Sequence, residues 1–391
     1  MKIQTSKRLN ALSSYAFADI QNKVAALKAQ GLSPVDFGIG DPSEPTPSLV
    51  RAALKEAVDV HQSSGYPSYI GAAAYREAVA AYSKRRFGVE LNVDREICAT
   101  IGSKEAIFNF PEAFVDPGDI VLVPNPGYPP FARGTQFAEG EVHYLNLLPE
   151  NNFLPDLAAI PAEICQRAKI LWINYPNNPT GAIAPREFFA EAIEFGKKHN
   201  IIIVSDEAYV DNWYDEKPAS ILEFSKEGVI ACNSLSKRSC MTGYRVGWMA
   251  GDENIIAAFK KLKTNVDSGT PDFIQAAAIA ALNDDAHVDE LRVLYKKKRN
   301  IIADAFTQIG LADCRPDATL HFWQQIPADE TALSFAEKLL DPKIMAVTTP
   351  GNWISDEING INPGDNYVRL ALVPTVEECE QVAEKIVEHL K

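Results

Sequence analysis

The chain has 391 residues, 46% apolar and 23% charged, enough for two or three domain-sized units with a core that needs no metal or disulfide to fold. Its 52 acidic residues outnumber 38 basic ones for a formal charge of −14, which argues against nucleic acid as the main partner, since phosphate backbones demand a basic face. No apolar run reaches the ~18 residues of a membrane span. Six cysteines (Cys98, Cys165, Cys232, Cys240, Cys314, Cys379) show no C-x-x-C spacing, so free thiols and a cytoplasmic location are expected. Ala16-Phe17-Ala18 imitates a signal cleavage site after Lys7 and Arg8. Asn10, Ser13 and Ser14 interrupt the apolar stretch, so no signal peptide is expected.

In chain order, residues 14–30 have the spacing of an amphipathic helix ending at Gly31. The Pro-rich passage from Gly38 to Pro47 is an irregular connection. From about residue 48 to 270, short apolar runs alternate with helical stretches. The strand candidates are Ile97–Ile101, Ile120–Val123, Ile170–Ile173, Ile201–Ser205, Val229–Ser234 and Val246–Ala250. They are rich in Ile and Val and mostly unalternating, as in strands covered on both faces. Helices over 73–87, 104–115, 186–199 and 253–263 separate many of them, which predicts an α/β fold with a mostly parallel central sheet between helical layers. A long charged helix over 286–309 reads as a connector. Strands Leu320–Gln324 and Tyr367–Val373 and a final helix after Pro374 make a smaller α+β unit. The expected division is a large domain over 47–290 and a small one built from both chain ends, 1–46 and 291–391.

Open parallel sheets bind ligands at the carboxyl ends of their strands. Gly102-Ser103-Lys104 follows the first run and opens a helix, an arrangement suited to an anion. The next runs lead into Pro126-Gly127-Tyr128, Asn174-Tyr175-Pro176-Asn177-Asn178-Pro179-Thr180-Gly181 and Asp206-Glu207-Ala208-Tyr209. Then come Ser234-Leu235-Ser236-Lys237 and Gly243-Tyr244-Arg245-Val246-Gly247. Singly, such strings are caps, turns and solvated loops. Together they suit one ligand. Its anionic group would sit on Gly102, Ser103, Lys104, Ser234, Ser236 and Arg245, and its flat ring would stack on Tyr128. A cationic ring nitrogen would face Asp206, Asn178 and Tyr209 would hold a phenolic oxygen, and Lys237 would condense with a carbonyl. Pyridoxal 5′-phosphate (PLP) has all these groups.

With these motifs in order from about residue 8 to its end, the chain resembles the class I/II aminotransferases, the fold type I PLP enzymes. The resemblance implies that Lys237 is the Schiff-base lysine and proton carrier, and that Asp206 is the partner of the pyridine nitrogen. Tyr209 and Asn178 then hold the phenolic oxygen, Tyr128 stacks on the ring, and Ser103, Lys104, Ser234 and Arg245 hold the phosphate. Arg369, in Asn366-Tyr367-Val368-Arg369-Leu370, corresponds to the clamp for the substrate α-carboxylate, with Gly40 and Asn178 beside it. Tyr66 corresponds to a tyrosine that reaches a neighbouring subunit's phosphate, which implies a homodimer. A planar guanidinium suits a carboxylate, and adjacent Arg245 and Lys104 would lower the Lys237 pKa. Cys240 stands where many relatives have Gly or Asn, and is read as structural. The six histidines are dispersed, so neither a metal site nor a Ser-His nucleophile is expected.

Finer strings divide between two subfamilies. Phe37–Pro42, Glu150–Leu157 and Asn265–Gly269 resemble LL-diaminopimelate aminotransferases. Gly102–Phe108 and Ser236–Ser239 resemble N-succinyl-LL-diaminopimelate aminotransferases. Both imply lysine biosynthesis with 2-oxoglutarate as acceptor. Arg133, Arg76 and Lys263 are equal candidates for the distal group of the substrate. An aspartate or broad-range aminotransferase and a PLP-dependent carbon–sulfur lyase remain as alternatives. A PLP-domain transcription regulator is disfavoured because residues 1–46 are too short and too weakly basic for a DNA-binding segment.

Overall fold

The computed structural model describes residues 1, 3–10, 12 and 18–390. The strands are β1 (Val35–Asp36), β2 (Ile97–Thr100), β3 (Ile120–Asn125), β4 (Glu141–Asn146), β5 (Ala168–Asn174) and β6 (Ile202–Asp206). They continue as β7 (Val229–Ser234), β8 (Gly247–Gly251), β9 (His321–Gln325), β10 (Ala346–Val347), β11 (Thr349–Pro350) and β12 (Tyr367–Ala371). Seven form one sheet in the order β2-β8-β7-β6-β5-β3-β4. Strand β8 runs antiparallel to both neighbours, β2 and β7, and every other pair is parallel. Six strands therefore point the same way, and only β8 is reversed.

Side chains alternate across a strand, so each unbroken apolar run feeds two layers. Ile97, Ala99, Leu122, Leu171, Ile173, Ile203, Ala231 and Trp248 enter one buried cluster. The residues between them, including Cys98, Val121, Ile170, Trp172, Val204, Ile230 and Met249, enter another. Covering both faces explains why these strands lack polar alternation. A third cluster joins Ile20, Leu27 and Phe37 to Ile302, Phe306, Leu320, Phe322, Val368 and Leu370. There β9, β12 and β11 form an antiparallel sheet, and β1 pairs in parallel with β10 through Val35–Ala346 and Asp36–Val347. The helix Ala286–Gln308 starts beside the large sheet, where His287 Nε2 lies 2.9 Å from Ser239 Oγ, and ends in the third cluster.

Several expected elements change. The helix expected over 14–30 covers Ala18–Ala29, after a short helical turn at Lys7–Asn10; residues 14–17 lie outside the described residues. The 104–115 helix is instead Gly102–Asn109 followed by a 3₁₀ turn, Phe110–Ala113, because Pro111 cannot continue an α-helical ladder. Ile101 leaves its strand, since Gly102 turns the chain at φ +69°. The C-terminal strands shift slightly, to His321–Gln325 and Tyr367–Ala371. Strand β4 was not anticipated: it lies on the sheet edge, half exposed, and its sequence Glu-Val-His-Tyr-Leu-Asn is too polar to stand out. The helices Ser48–Val60 and Asp272–Leu282, which pack against each other, also escaped the pattern.

Candidate active site

The carboxyl ends of six strands open on one side of the large sheet. Reversal of β8 matters here, because it puts the start of that strand on the same edge. Gly247 pairs with Thr100 on one side and Ser234 on the other. Arg245, two residues before it, is thereby set between the Gly102 turn and Ser234. A cleft of about 1220 Å³ lies over this edge, lined by Gly40, Ser103, Lys104, Tyr128, Asn178, Asp206, Tyr209, Ser234, Ser236, Lys237, Arg245 and Arg369, whereas Tyr66 and Gly102 do not line it.

One end of the cleft is built for an anion. The helix Gly102–Asn109 directs its free N–H groups there, with Ser103 and exposed Lys104 in its first turn. Ser234 Oγ caps the Leu235–Arg238 turn by accepting from Ser236 N at 3.1 Å, and donates to Ser236 Oγ at 2.9 Å. Arg245 has φ +54°, and its Nη1 donates to Thr242 O at 2.8 Å. Its guanidinium lies against Gly102, where an added Cβ would come within 2.5 Å of Nη2.

At the centre, Asp206 ends β6 beside Asn174 of β5, whose Nδ2 donates to Asp206 O at 2.9 Å. Burial raises the Asp206 carboxyl to about 7, opposed by one N–H from Ala208. Among the described residues no basic side chain forms an ion pair with it. Lys237 Nζ donates to Gly40 O. Burial lowers its pKa to about 8; Asp41 and Cys240 oppose this, while Arg369 and Arg245 assist. The charge expected from Lys104 is thus supplied by Arg369, because Lys104 is exposed at the rim. Tyr209 is buried, its hydroxyl 3.1 Å from His321 Nε2.

Arg369 projects from the middle strand of the three-stranded sheet. Its Nη2 donates to Gly38 O at 2.8 Å and its Nη1 to Asn178 Oδ1 at 3.4 Å. Asn178 is fixed in turn by a bond from its N–H to Asn174 Oδ1 at 3.0 Å. The passage Gly38–Gly40 therefore touches both Lys237 and Arg369. Tyr128 packs edge-on against Phe131, with centroids 5.9 Å apart, and lines the cleft.

Other candidates separate cleanly. Tyr66 is 89% exposed and lies off the cleft of its own chain. Arg76 is buried and tied to Asp94 at 3.0 Å, and Lys263 is buried between Asp267 at 2.7 Å and Glu105 at 3.2 Å. Both are spent on the frame, so of the three distal candidates only Arg133 lines the cleft. Cys240 has φ +50°, a left-handed backbone conformation that Gly and Asn adopt more readily than other residues. Burial pushes its thiol up to about 12, so it is a packed group rather than a reactive thiolate. His321 was overlooked: one histidine in a Phe-Trp strand carries no local signal.

The residues fit PLP on their own chemistry. A buried carboxyl with no ion-pair partner among the described residues, a lysine with a depressed pKa and an anion cup line one cleft, the kinds of group a pyridine nitrogen, an aldehyde and a phosphate call for. The fold and site thus define a PLP-dependent transaminase of the α/β type. The profile for aminotransferase class I and II matches residues 33–386, and the chain belongs to that family. It is 43% identical over 390 residues to the LL-diaminopimelate aminotransferase of Desulforudis audaxviator, covering 99% of this chain and 98% of that protein. It is 41% identical over 385 residues to the LL-diaminopimelate aminotransferase of Aquifex aeolicus, covering 97% and 98%. An aminotransferase structure from Neisseria meningitidis Z2491 superposes with a TM-score of 0.91 at 31% identity, covering 99% of this chain and 100% of that one.

Proposed function

We propose that this transaminase takes LL-diaminopimelate as amino donor and 2-oxoglutarate as acceptor, in lysine biosynthesis. The observation that carries the reading is end-to-end likeness, at 41–43% identity, to curated relatives bearing that substrate in their names.

In this reading PLP, when bound, supplies a conjugated ring that accepts the electron pair left when a bond to the substrate α-carbon breaks. The chain's own residues do the rest. Ser103, Lys104, Ser234, Ser236 and Arg245 hold the phosphate, and Tyr128 confines the ring. Asp206 ionises opposite a cationic ring nitrogen, which offsets the burial that now raises its pKa. Tyr209 and Asn178 donate to the phenolic oxygen. Lys237 Nζ takes the substrate Cα proton and holds it for return, a role its lowered pKa suits. Arg369 exchanges a Gly38 carbonyl for the substrate α-carboxylate, which it meets with two parallel N–H donors beside Gly40 and Asn178. Of the basic residues considered for a distal carboxylate, Arg133 lines the cleft and takes that role in this reading.

The chain is further read as a cytoplasmic homodimer. Exposed Tyr66, Tyr69 and Val266 support the dimer, with Tyr66 reaching the partner's phosphate. The division into a 47–290 domain and a domain of residues 1–46 with 291–391 is supported by the separate third apolar cluster and the β1–β10 pairing.

The deciding assay offers LL-diaminopimelate, its N-succinyl derivative, aspartate and phenylalanine with 2-oxoglutarate and measures glutamate. LL-diaminopimelate should give the highest kcat/KM; dominance of another donor overturns the substrate reading. Pyruvate and ammonia released from cystathionine without an oxo acid would mark a carbon–sulfur lyase instead. Borohydride treatment should leave PLP covalently attached to Lys237, and attachment elsewhere overturns that assignment.

A further inference from the structure

His321 opens β9 and is 2% exposed. Its ring meets Tyr209 edge-on at 69°, with Nε2 3.1 Å from the hydroxyl. Two features pin it. His321 N donates to Thr319 Oγ1 at 3.0 Å, and Gly40 leaves room for the ring, since a Cβ there would lie 2.5 Å from Cε1. The other ring nitrogen, Nδ1, is buried and has no hydrogen-bond partner among the described residues.

That orphaned nitrogen decides where the proton sits. Burial holds the imidazole neutral, and the nearby cations Arg369 and Lys237 add to the effect. A neutral imidazole carries one proton. On Nδ1 it would be a buried N–H with nothing to donate to. On Nε2 it has Tyr209 Oη as acceptor, and only a lone pair is left unpaired. Buried orphan N–H groups are rarer and costlier than under-satisfied acceptors. The Nε2–H form therefore wins. In that form the bond runs from His321 to Tyr209, so the tyrosine proton cannot point back at the ring. Tyr209 lines the cleft, and its proton turns there.

We propose that His321 is a positioning residue that donates Nε2–H to the Tyr209 hydroxyl oxygen and so commits the Tyr209 O–H to the cleft as donor to the cofactor's phenolic oxygen. The inference rests on the assignment of Tyr209 to that oxygen.

The first test is ¹⁵N-resolved NMR of the full chain with PLP bound. His321 should be protonated at Nε2 alone, and protonation at Nδ1 overturns the proposal. The second is the pH midpoint of the visible absorption band. A donor on the phenolic oxygen drains charge from the ring and lowers the proton affinity of the adjoining nitrogen. Tyr209→Phe should raise the midpoint by about one pH unit, His321→Phe by roughly half that, and His321→Gln, which keeps an N–H, should restore it. If Tyr209→Phe leaves the midpoint unmoved, the Tyr209 assignment itself fails. If Tyr209→Phe moves it and His321→Phe does not, only the role of His321 is overturned.

Discussion

Gly102→Ala separates a structural from a functional cost at one position. Gly102 has φ +69°, a region where an L side chain costs about 1 kcal/mol. The new methyl would also lie 2.5 Å from Arg245 Nη2 and 2.9 Å from Cζ. That clash is relieved without unfolding, because the guanidinium is the far end of an exposed side chain and can swing away. Swinging away removes it from the anion cup. One charge-assisted hydrogen bond to phosphate is worth about 1.5–3 kcal/mol, so PLP affinity should fall roughly 10- to 150-fold. The fold loses only the backbone term, about 1–2 °C in Tm for a chain of this size. Calorimetry reads the second quantity, and titration of cofactor-free protein with PLP, followed by absorbance, reads the first. Arg245→Ala should weaken binding by the same order, and adding Gly102→Ala to it should change little, since both act through one contact. Unchanged affinity in Gly102→Ala, or two losses that add in full, would refute the reasoning.

Arg369→Lys should raise KM for amino and oxo acids together about tenfold with a smaller change in kcat, because a point charge replaces a planar fork; a fall in kcat alone would place Arg369 elsewhere in the reaction. Lys237 should take up PLP faster as pH rises through about 8, because only its neutral amine condenses. Between that value and the ordinary ~10.5 the folded chain binds fewer protons than the unfolded one, so the same group makes cofactor-free protein more stable as pH rises across the window. Stopped-flow uptake that is flat across about pH 6–10 contradicts this. Lys298, 1% exposed, pairs with Glu44, which also accepts from Tyr295 Oη at 2.6 Å, tying the N-terminal passage to the long helix. Lys298→Met should cost about 3 kcal/mol in urea unfolding by leaving the mostly covered Glu44 carboxylate without its cation, and adding Glu44→Gln should recover much of it. Equal destabilisation in single and double variants would show that packing, not charge, is lost.

The site could be read ahead of its frame for a physical reason. Strands β2, β3 and β5–β7 are buried on both faces, so their Ile/Val runs are nearly unbroken and the few residues that follow each run mark the sheet edge. Gly102, Asn178, Asp206 and Lys237 are found that way. The antiparallel course of β8 leaves no mark in its own residues, yet it brings Arg245, which precedes the strand, to an edge otherwise made of strand ends. Charge type could not sort Arg76 and Lys263 from Arg133, because a basic side chain looks the same whether its partner is Asp94, Asp267 or a substrate. His321 and Tyr209 lie 112 residues apart, and no periodicity links them. Their pairing exists only because the β9 sheet is set against the Tyr209 loop, with Gly40 leaving space between. Local sequence thus names the groups that touch a ligand at strand ends, whereas the groups that orient them come from register and packing across distant segments. His321 belongs to the second kind, so the direction of the Tyr209 proton is a property of the tertiary structure.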